Sequence, residues 1–327
     1  MKALVTGGAG FIGSHLTQLL LDTGWNVIVL DDFSTGSCTN LPTHPRLTVE
    51  ANSIGEASVR VWDSQTLRSV LDQMVSEVDA VFHLAAIVGV RNVLNAPLDT
   101  LEDNIDGTSC VLHAAARHKK PTIITSSSEV YGTSGFADES DIVRIPPPSE
   151  QRYGYAAAKL VEEYIALAHH QTNGLPVVVA RLFNTIGPRQ VEHYGMVVPR
   201  FIEQAITGSP ITVYGDGSQR RTFTWVGDVV RALVDLVHCK EAWGQVVNIG
   251  SQENVSIDQL AKMVKRLTNS ESIIVHIPYL TAYGVKFKDI EDRYPSLNKI
   301  QSLINYKPTM MLSEMLMKII ELTPKVG

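Results

Sequence analysis

Cysteine is scarce in this 327-residue chain: Cys38, Cys110 and Cys239 are the full set, widely separated and odd in number. No disulfide framework and no metal-ligand spacing can be built from them, so they read as small buried apolar residues in a reducing compartment. Long apolar runs are also missing. None approaches the roughly 20 residues of a membrane helix, and Met1 leads straight through Lys2-Ala3-Leu4-Val5-Thr6 into a glycine turn, so a cytoplasmic protein with no membrane partner is expected. The formal net charge is -6, without the basic excess that nucleic acid or an anionic membrane would favour. An anionic small molecule stays possible, because local arginines bind phosphate whatever the net charge. There is no internal repeat, and Pro146-Pro147-Pro148 is one stiff loop rather than a low-complexity linker.

What is present fits a globular protein. The chain is 44% hydrophobic and 19% charged, enough to bury a core in one large domain or two modest ones. Short β-branched runs alternate with helical stretches: strands at Lys2 to Thr6, Asn26 to Leu30, Ala80 to Leu84, Thr122 to Thr125 and Val177 to Leu182, helices at Phe11 to Thr23, Leu98 to Arg117 and Gly154 to Gln171. That alternation predicts an α/β fold with a Rossmann-type, doubly wound parallel sheet. From Gly187 to Arg221 glycines, prolines and arginines cluster; Phe223 to Cys239 returns to strand and helix, and Ile257 to Leu267 and Leu312 to Leu322 are helical. The expected division is a dinucleotide-binding domain (1–184 plus 223–250) and a smaller, interleaved, C-terminal substrate-binding lobe (185–222 plus 251–327). The pair His169-His170 reads as a solvated helix end, and no metal is called for.

Thr6-Gly7-Gly8-Ala9-Gly10-Phe11-Ile12-Gly13 joins the first strand to the first helix. Glycines at 7, 10 and 13 suit a tight turn, a close backbone approach to pyrophosphate and close helix–strand packing, while the helix N-terminus offers free N–H groups to phosphate. The second strand ends at Asp31-Asp32, where a carboxylate accepts from ribose hydroxyls and repels a 2′-phosphate, favouring NAD over NADP. Tyr155 and Lys159 lie four apart on one helical face. A lysine beside the phenol, with the positive nicotinamide ring, should draw it down from its ordinary value near ~10 and make it a base for a substrate hydroxyl. The Thr122 to Thr125 strand runs into Ser126-Ser127-Ser128-Glu129-Val130-Tyr131-Gly132, bringing a serine and a candidate acid or base, Glu129, to the sheet edge.

Together the glycine turn, Phe82-His83-Leu84-Ala85-Ala86, Ser126-Ser127-Ser128-Glu129-Val130-Tyr131-Gly132, Tyr155-Ala-Ala-Ala-Lys159, Arg181-Leu-Phe-Asn184-Thr-Ile-Gly187-Pro188-Arg189 and Val213-Tyr214-Gly-Asp-Gly-Ser-Gln219-Arg-Arg221 resemble the extended short-chain dehydrogenase/reductase family, in its nucleotide-sugar epimerase and dehydratase subgroup. The resemblance implies Tyr155 as base, Lys159 as its partner and holder of the nicotinamide ribose, and Ser127 as the catalytic hydroxyl. It assigns Gly7, Gly10, Phe11, Ile12, Gly13, Asp31, Asp32, Leu84, Ala85, Ala86 and Asn104 to the cofactor. Ser128, Asn184, Val198, Tyr214, Arg221 and Arg293 fall to the substrate, the arginines to its diphosphate. Two departures stand out: Asn52 or Ser53 must replace the usual Gly-Asp-Ile adenine contact, and Ser296 stands where relatives direct an aspartate to the substrate ribose.

Among the family's reactions, 4,6-dehydration is disfavoured because Ser128 replaces the usual acid. Decarboxylases of UDP-glucuronate resemble the Ser127-Ser128-Glu129 stretch but differ at Tyr155-Ala-Ala-Ala-Lys159-Leu160, which in them reads Tyr-Asp-Glu-Gly-Lys-Arg. A 4-epimerase through a transient 4-keto sugar needs least, and is the expected activity, on a UDP-hexose or UDP-hexuronate. Arg91 could approach a C6 carboxylate, although a surface charge is the simpler reading of it. The reading from another class is a catalytically inert NAD-binding regulatory protein. The two long helices are expected to pair across a two-fold axis in a homodimer.

Overall fold

The computed structural model describes residues 1–54, 64–133, 135–191, 196–283 and 290–323. Seven strands form one sheet in the order Gln245–Ile249, Val177–Leu182, Thr122–Ser127, Ala80–His83, Lys2–Thr6, Asn26–Asp31, Leu47–Ala51. Every pairing in it is parallel. The order reverses between Lys2–Thr6 and Ala80–His83, so the loops after these two strands diverge and leave a crevice at their carboxyl ends.

Alternation of side chains across each strand generates two cores. Ala3, Val5, Val27, Val29, Phe82, Ile123 and Val178 face one side, under the Phe11–Asp22 and Val226–His238 helices. Leu4, Ile28, Leu30, Val81, Ile124, Val177 and Val179 face the other, under Ser64–Ser76, Pro97–His118 and Gly154–Asn173. Strands buried on both faces carry near-continuous apolar runs, which is why these segments show little polar alternation.

A third core gathers Phe201, Ile211, Leu260, Val264, Leu312 and Leu316 from the helices Val197–Ile206, Ile257–Leu267 and Leu312–Leu322 and the strand Ile211–Tyr214. The Ile257–Leu267 helix starts at a capping box between Ser256 and Gln259. A four-stranded sheet, in the order Asn254–Ser256, Arg220–Thr222, Asp292–Pro295, Phe136–Ala137, lies beside the crevice. The chain interleaves these bodies: Phe136–Ala137 joins the small sheet, whereas Leu297, Ile300 and Tyr306 pack into the first core. Among the described residues no helix is long and apolar enough to cross a membrane.

Two sequence expectations are corrected. Cys38 is exposed in the loop region after the Asn26–Asp31 strand, and Cys110 and Cys239 are only half-buried although each packs against a core. His169 is buried rather than solvated: its ring meets His113 edge-on at 4.7 Å, because the helix end packs on the Pro97–His118 helix. Its neighbour His170 bonds the Leu175 carbonyl at 2.7 Å.

Candidate active site

A cavity of about 750 Å³ opens over the carboxyl ends of the parallel strands and is closed by the smaller lobe. Its floor begins at the glycine turn. Gly7 has φ 69°, which L side chains rarely adopt, and a Cβ on Gly13 would come within 2.0 Å of the Gly7 carbonyl oxygen. The Phe11–Asp22 helix therefore starts directly over the turn, with its free N–H groups beside the cavity.

Gly10, Phe11, Ile12, Asp31, Asp32, Asn52, Ser53, Leu84, Ala85, Ala86 and Asn104 line the same end. Asp31 accepts from the Ala9 amide at 2.8 Å and the Phe33 amide at 2.9 Å. Burial raises its carboxyl above the usual range, against these two bonds. Asp32 accepts from the Ser34 amide and hydroxyl, at 2.9 and 2.6 Å, and so turns the loop. Asn104 clamps both the amide (2.7 Å) and the carbonyl (3.1 Å) of Ile87, fixing the wall that follows Ala86. Neither amide atom of the buried Asn52 finds a partner among the described residues. A buried amide without partners costs about 1–3 kcal/mol, so this position is built for a ligand able to donate and accept. A dinucleotide with a purine at this end fits that donor set and the glycine cradle.

At the opposite end the Thr122–Ser127 strand runs two residues beyond its apolar stretch, so Ser127 and Ser128 stand at the rim. Tyr155 and Lys159 project from the first turns of Gly154–Asn173 toward them. Tyr155 is hydrogen-bonded to Ser127. The Lys159 Nζ lies 5.9 Å from the Tyr155 ring centre and 2.9 Å from Glu162 Oε2, with both charged side chains almost fully buried. The expected acidification of Tyr155 is not what this arrangement gives. Burial raises the phenol well above its ordinary value, the Glu162 and Glu129 carboxylates raise it further, and only the Ser127 bond lowers it. The ammonium is turned into Glu162, which neutralises much of its field.

Glu129 is also corrected as a candidate acid. Burial alone would raise its carboxyl, but Arg293 at 2.9 Å, Arg152 at 4.0 Å and the field of Arg221 hold it down at about 2. At neutral pH it is a carboxylate, not a proton donor. Arg221 and Arg293 are register partners on adjacent parallel strands, which places two guanidinium groups side by side. Arg221 also donates to the carbonyls of Arg220 (2.7 Å) and Ile290 (2.8 Å). Asn184 donates to the Thr222 carbonyl at 2.9 Å, Val198 forms part of the wall, and the Tyr214 ring lies 3.9 Å below the Arg200 guanidinium.

All the residues expected at the site from the sequence thus line one cavity. Ser296 is buried, its amide bonded to the Ala137 carbonyl at 2.8 Å. The Arg91 side chain lies outside the described residues. Sequence reading missed Arg152 and Arg200, both buried cations at the wall. For Arg152 the available signal is its position three residues before Tyr155, at the turn that starts the same helix.

Comparison with known proteins follows the same outline. The model of the NAD dependent epimerase/dehydratase family matches residues 3–250. A UDP-N-acetyl-alpha-D-glucosaminuronate decarboxylase of Bacillus cytotoxicus is 37% identical over 310 residues, 94% of this chain and 92% of the relative. The structure of a UDP-glucuronic acid 4-epimerase from Bacillus cereus, in complex with UDP-glucuronic acid and NAD, superposes with a TM-score of 0.85 at 29% identity, covering 98% of both chains. A UDP-glucose 4-epimerase from Thermotoga maritima, with UDP-glucose, gives a TM-score of 0.86 at 28% identity, again over 98% of each chain.

Proposed function

The chain belongs to the NAD-dependent epimerase/dehydratase family, and from that premise we propose that it oxidises C4 of a UDP-hexuronate and releases the C6 carboxylate as CO2. The observation that carries this reading is the group of three arginines, Arg152, Arg221 and Arg293, whose charges meet at Glu129 in the cavity that also holds Tyr155. Three guanidinium groups gathered at one end of the cavity suit a substrate that brings a carboxylate as well as a diphosphate. The relative at 37% identity is a decarboxylase of a UDP-hexuronate derivative, and it matches nearly end to end.

When bound, NAD accepts and later returns the C4 hydride. The chain's own groups do the rest. Tyr155 takes the C4 hydroxyl proton while Ser127 holds the oxygen. Oxidation leaves the C6 carboxylate β to a ketone, so the electrons of the C5–C6 bond pass to the C4 oxygen as CO2 departs. Tyr155 and Ser127 then stabilise that oxygen. One proton from solvent enters C5, and Tyr155 returns its proton to the C4 oxygen as the alcohol re-forms. Arg221, Arg293 and Asn184 hold the diphosphate, Val198 and Tyr214 the nucleotide, and Asp31 and Asn52 the adenosine half of the cofactor. In this reading residues 1–184 plus 223–250 bind the dinucleotide and lend Ser127, Tyr155 and Asn184 to the substrate, while 185–222 plus 251–327 supply the other contacts to the sugar nucleotide.

A second reading, 4-epimerisation of a UDP-hexuronate, is favoured by the Bacillus cereus structure and uses the same base and cofactor. It requires the 4-keto sugar to rotate and keep its carboxylate. An inert NAD-binding role is disfavoured by the retention of Tyr155, Lys159 and Ser127 together. Incubation with UDP-glucuronate, UDP-N-acetylglucosaminuronate and UDP-glucose, followed by proton NMR, separates these readings. A UDP-pentose product supports decarboxylation, a C4 epimer transfers the assignment to epimerisation, and NADH accumulation alone removes both.

A further inference from the structure

Glu162 has no part in the chemistry above, yet it is hydrogen-bonded to Lys159, four residues from the proposed base. It is almost fully buried, and its Oε2 accepts from Lys159 Nζ at 2.9 Å and from Thr108 Oγ1 at 2.8 Å. Behind Thr108 the bonds continue. His83 Nε2 lies 2.9 Å from Thr108 Oγ1, and His83 Nδ1 lies 2.7 Å from Thr6 Oγ1. Thr6 Oγ1 in turn accepts, weakly, from the amide of Ala85, in the wall beside the glycine turn, at 3.4 Å.

The donors in this chain have one consistent direction. A carboxylate only accepts, so Thr108 gives its proton to Glu162 and must accept from His83 Nε2–H. His83 then accepts at Nδ1 from the Thr6 hydroxyl, whose oxygen receives the Ala85 amide. The imidazole is fully buried and held far below its ordinary range, at about 3, by burial and by the Lys159 charge, so it stays neutral. Adjacent charges are accounted for. Glu163 is taken by Arg181, with bonds of 2.9 and 2.7 Å, and by Ser126 at 2.5 Å; Glu129 is held by Arg293 and Arg152. Glu162 on its own helix and Ser127 and Glu129 from the strand end opposite thus act on Tyr155, and the Lys159 ammonium lies 5.9 Å from its ring centre.

We propose that Glu162 is a positioning residue of this enzyme: it anchors the Lys159 ammonium at the end of a one-way hydrogen-bond chain from the cofactor-binding backbone, and so limits how strongly that ammonium acts on Tyr155. The inference rests on Tyr155 being the base, and it holds for decarboxylation and epimerisation alike. Replacing the carboxylate in Glu162→Gln leaves the Lys159 charge unopposed, so Tyr155 ionises more readily. The acid limb of the kcat–pH profile should move down by about one unit, the size of a nearby like-charge effect. A purely structural role would lower activity at every pH without moving the limb.

Tyr155→Phe separates the two claims. If it stays active, the base assignment fails; if it is inactive while Glu162→Gln leaves the limb in place or moves it up, the positioning role is refuted. Should Glu162→Gln not fold, 15N-histidine NMR on the unaltered protein decides. A neutral His83 with its proton on Nε2, unchanged between about pH 5 and 9, is required. A proton on Nδ1, or a titrating ring, overturns the proposal.

Discussion

At Glu129 a partly buried carboxyl meets Arg293 at 2.9 Å and Arg152 at 4.0 Å, and its affinity for a proton falls to about 2. Because the folded value lies below the ordinary 4.5, the unfolded chain binds the proton first as pH falls. The stability contributed by this group is therefore complete above the ordinary carboxylate range and is lost progressively as pH drops through it toward 2. Glu129→Gln should cost on the order of 2–3 kcal/mol near neutral pH. In urea titrations that deficit should shrink between about pH 5 and pH 3; a deficit independent of pH would show that the ion pairs contribute nothing. The sequence marked Glu129 as chemically relevant from its place after a strand. Its ionisation was not legible, because the arginines that govern it are 23 and 164 residues away along the chain.

Element positions were easier to read than element partners. The Val177–Leu182, Ile257–Leu267 and Leu312–Leu322 elements coincide with the sequence expectation, since apolar periodicity and local capping act within a few residues. The Thr122–Ser127 strand runs two residues past its expected end because pairing with Val177–Leu182 continues through Ser126 and Ser127, a tertiary effect. The Phe136–Ala137 strand was invisible for the same reason: two residues carry no period of their own. The long helices Pro97–His118 and Gly154–Asn173 leave Leu98, Val161 and Tyr164 exposed. Val161 and Tyr164 are three apart on one face, and we propose that this face pairs with a second copy in a homodimer. Light scattering should give twice the chain mass for the unaltered protein and a monomer for Tyr164→Arg; a monomeric unaltered protein contradicts the interface.

For the whole molecule, the doubly wound sheet and its crevice were legible because the glycine turn, Asp31 and the Tyr155–Lys159 spacing each depend on local geometry that the fold requires. The charge balance of the cavity was not. It arises where Arg221 and Arg293, from strands 72 residues apart, become register partners over the serine-rich strand end. That balance shifts the proposed outcome from epimerisation toward loss of CO2. Turnover of UDP-glucuronate labelled with 13C at C6, in deuterated water with NAD, tests this most directly. The account predicts 13C released as CO2 and bicarbonate, and one deuterium at C5 of the UDP-pentose product. Retention of the label in a hexuronate, with C4 inverted or unchanged, would contradict it.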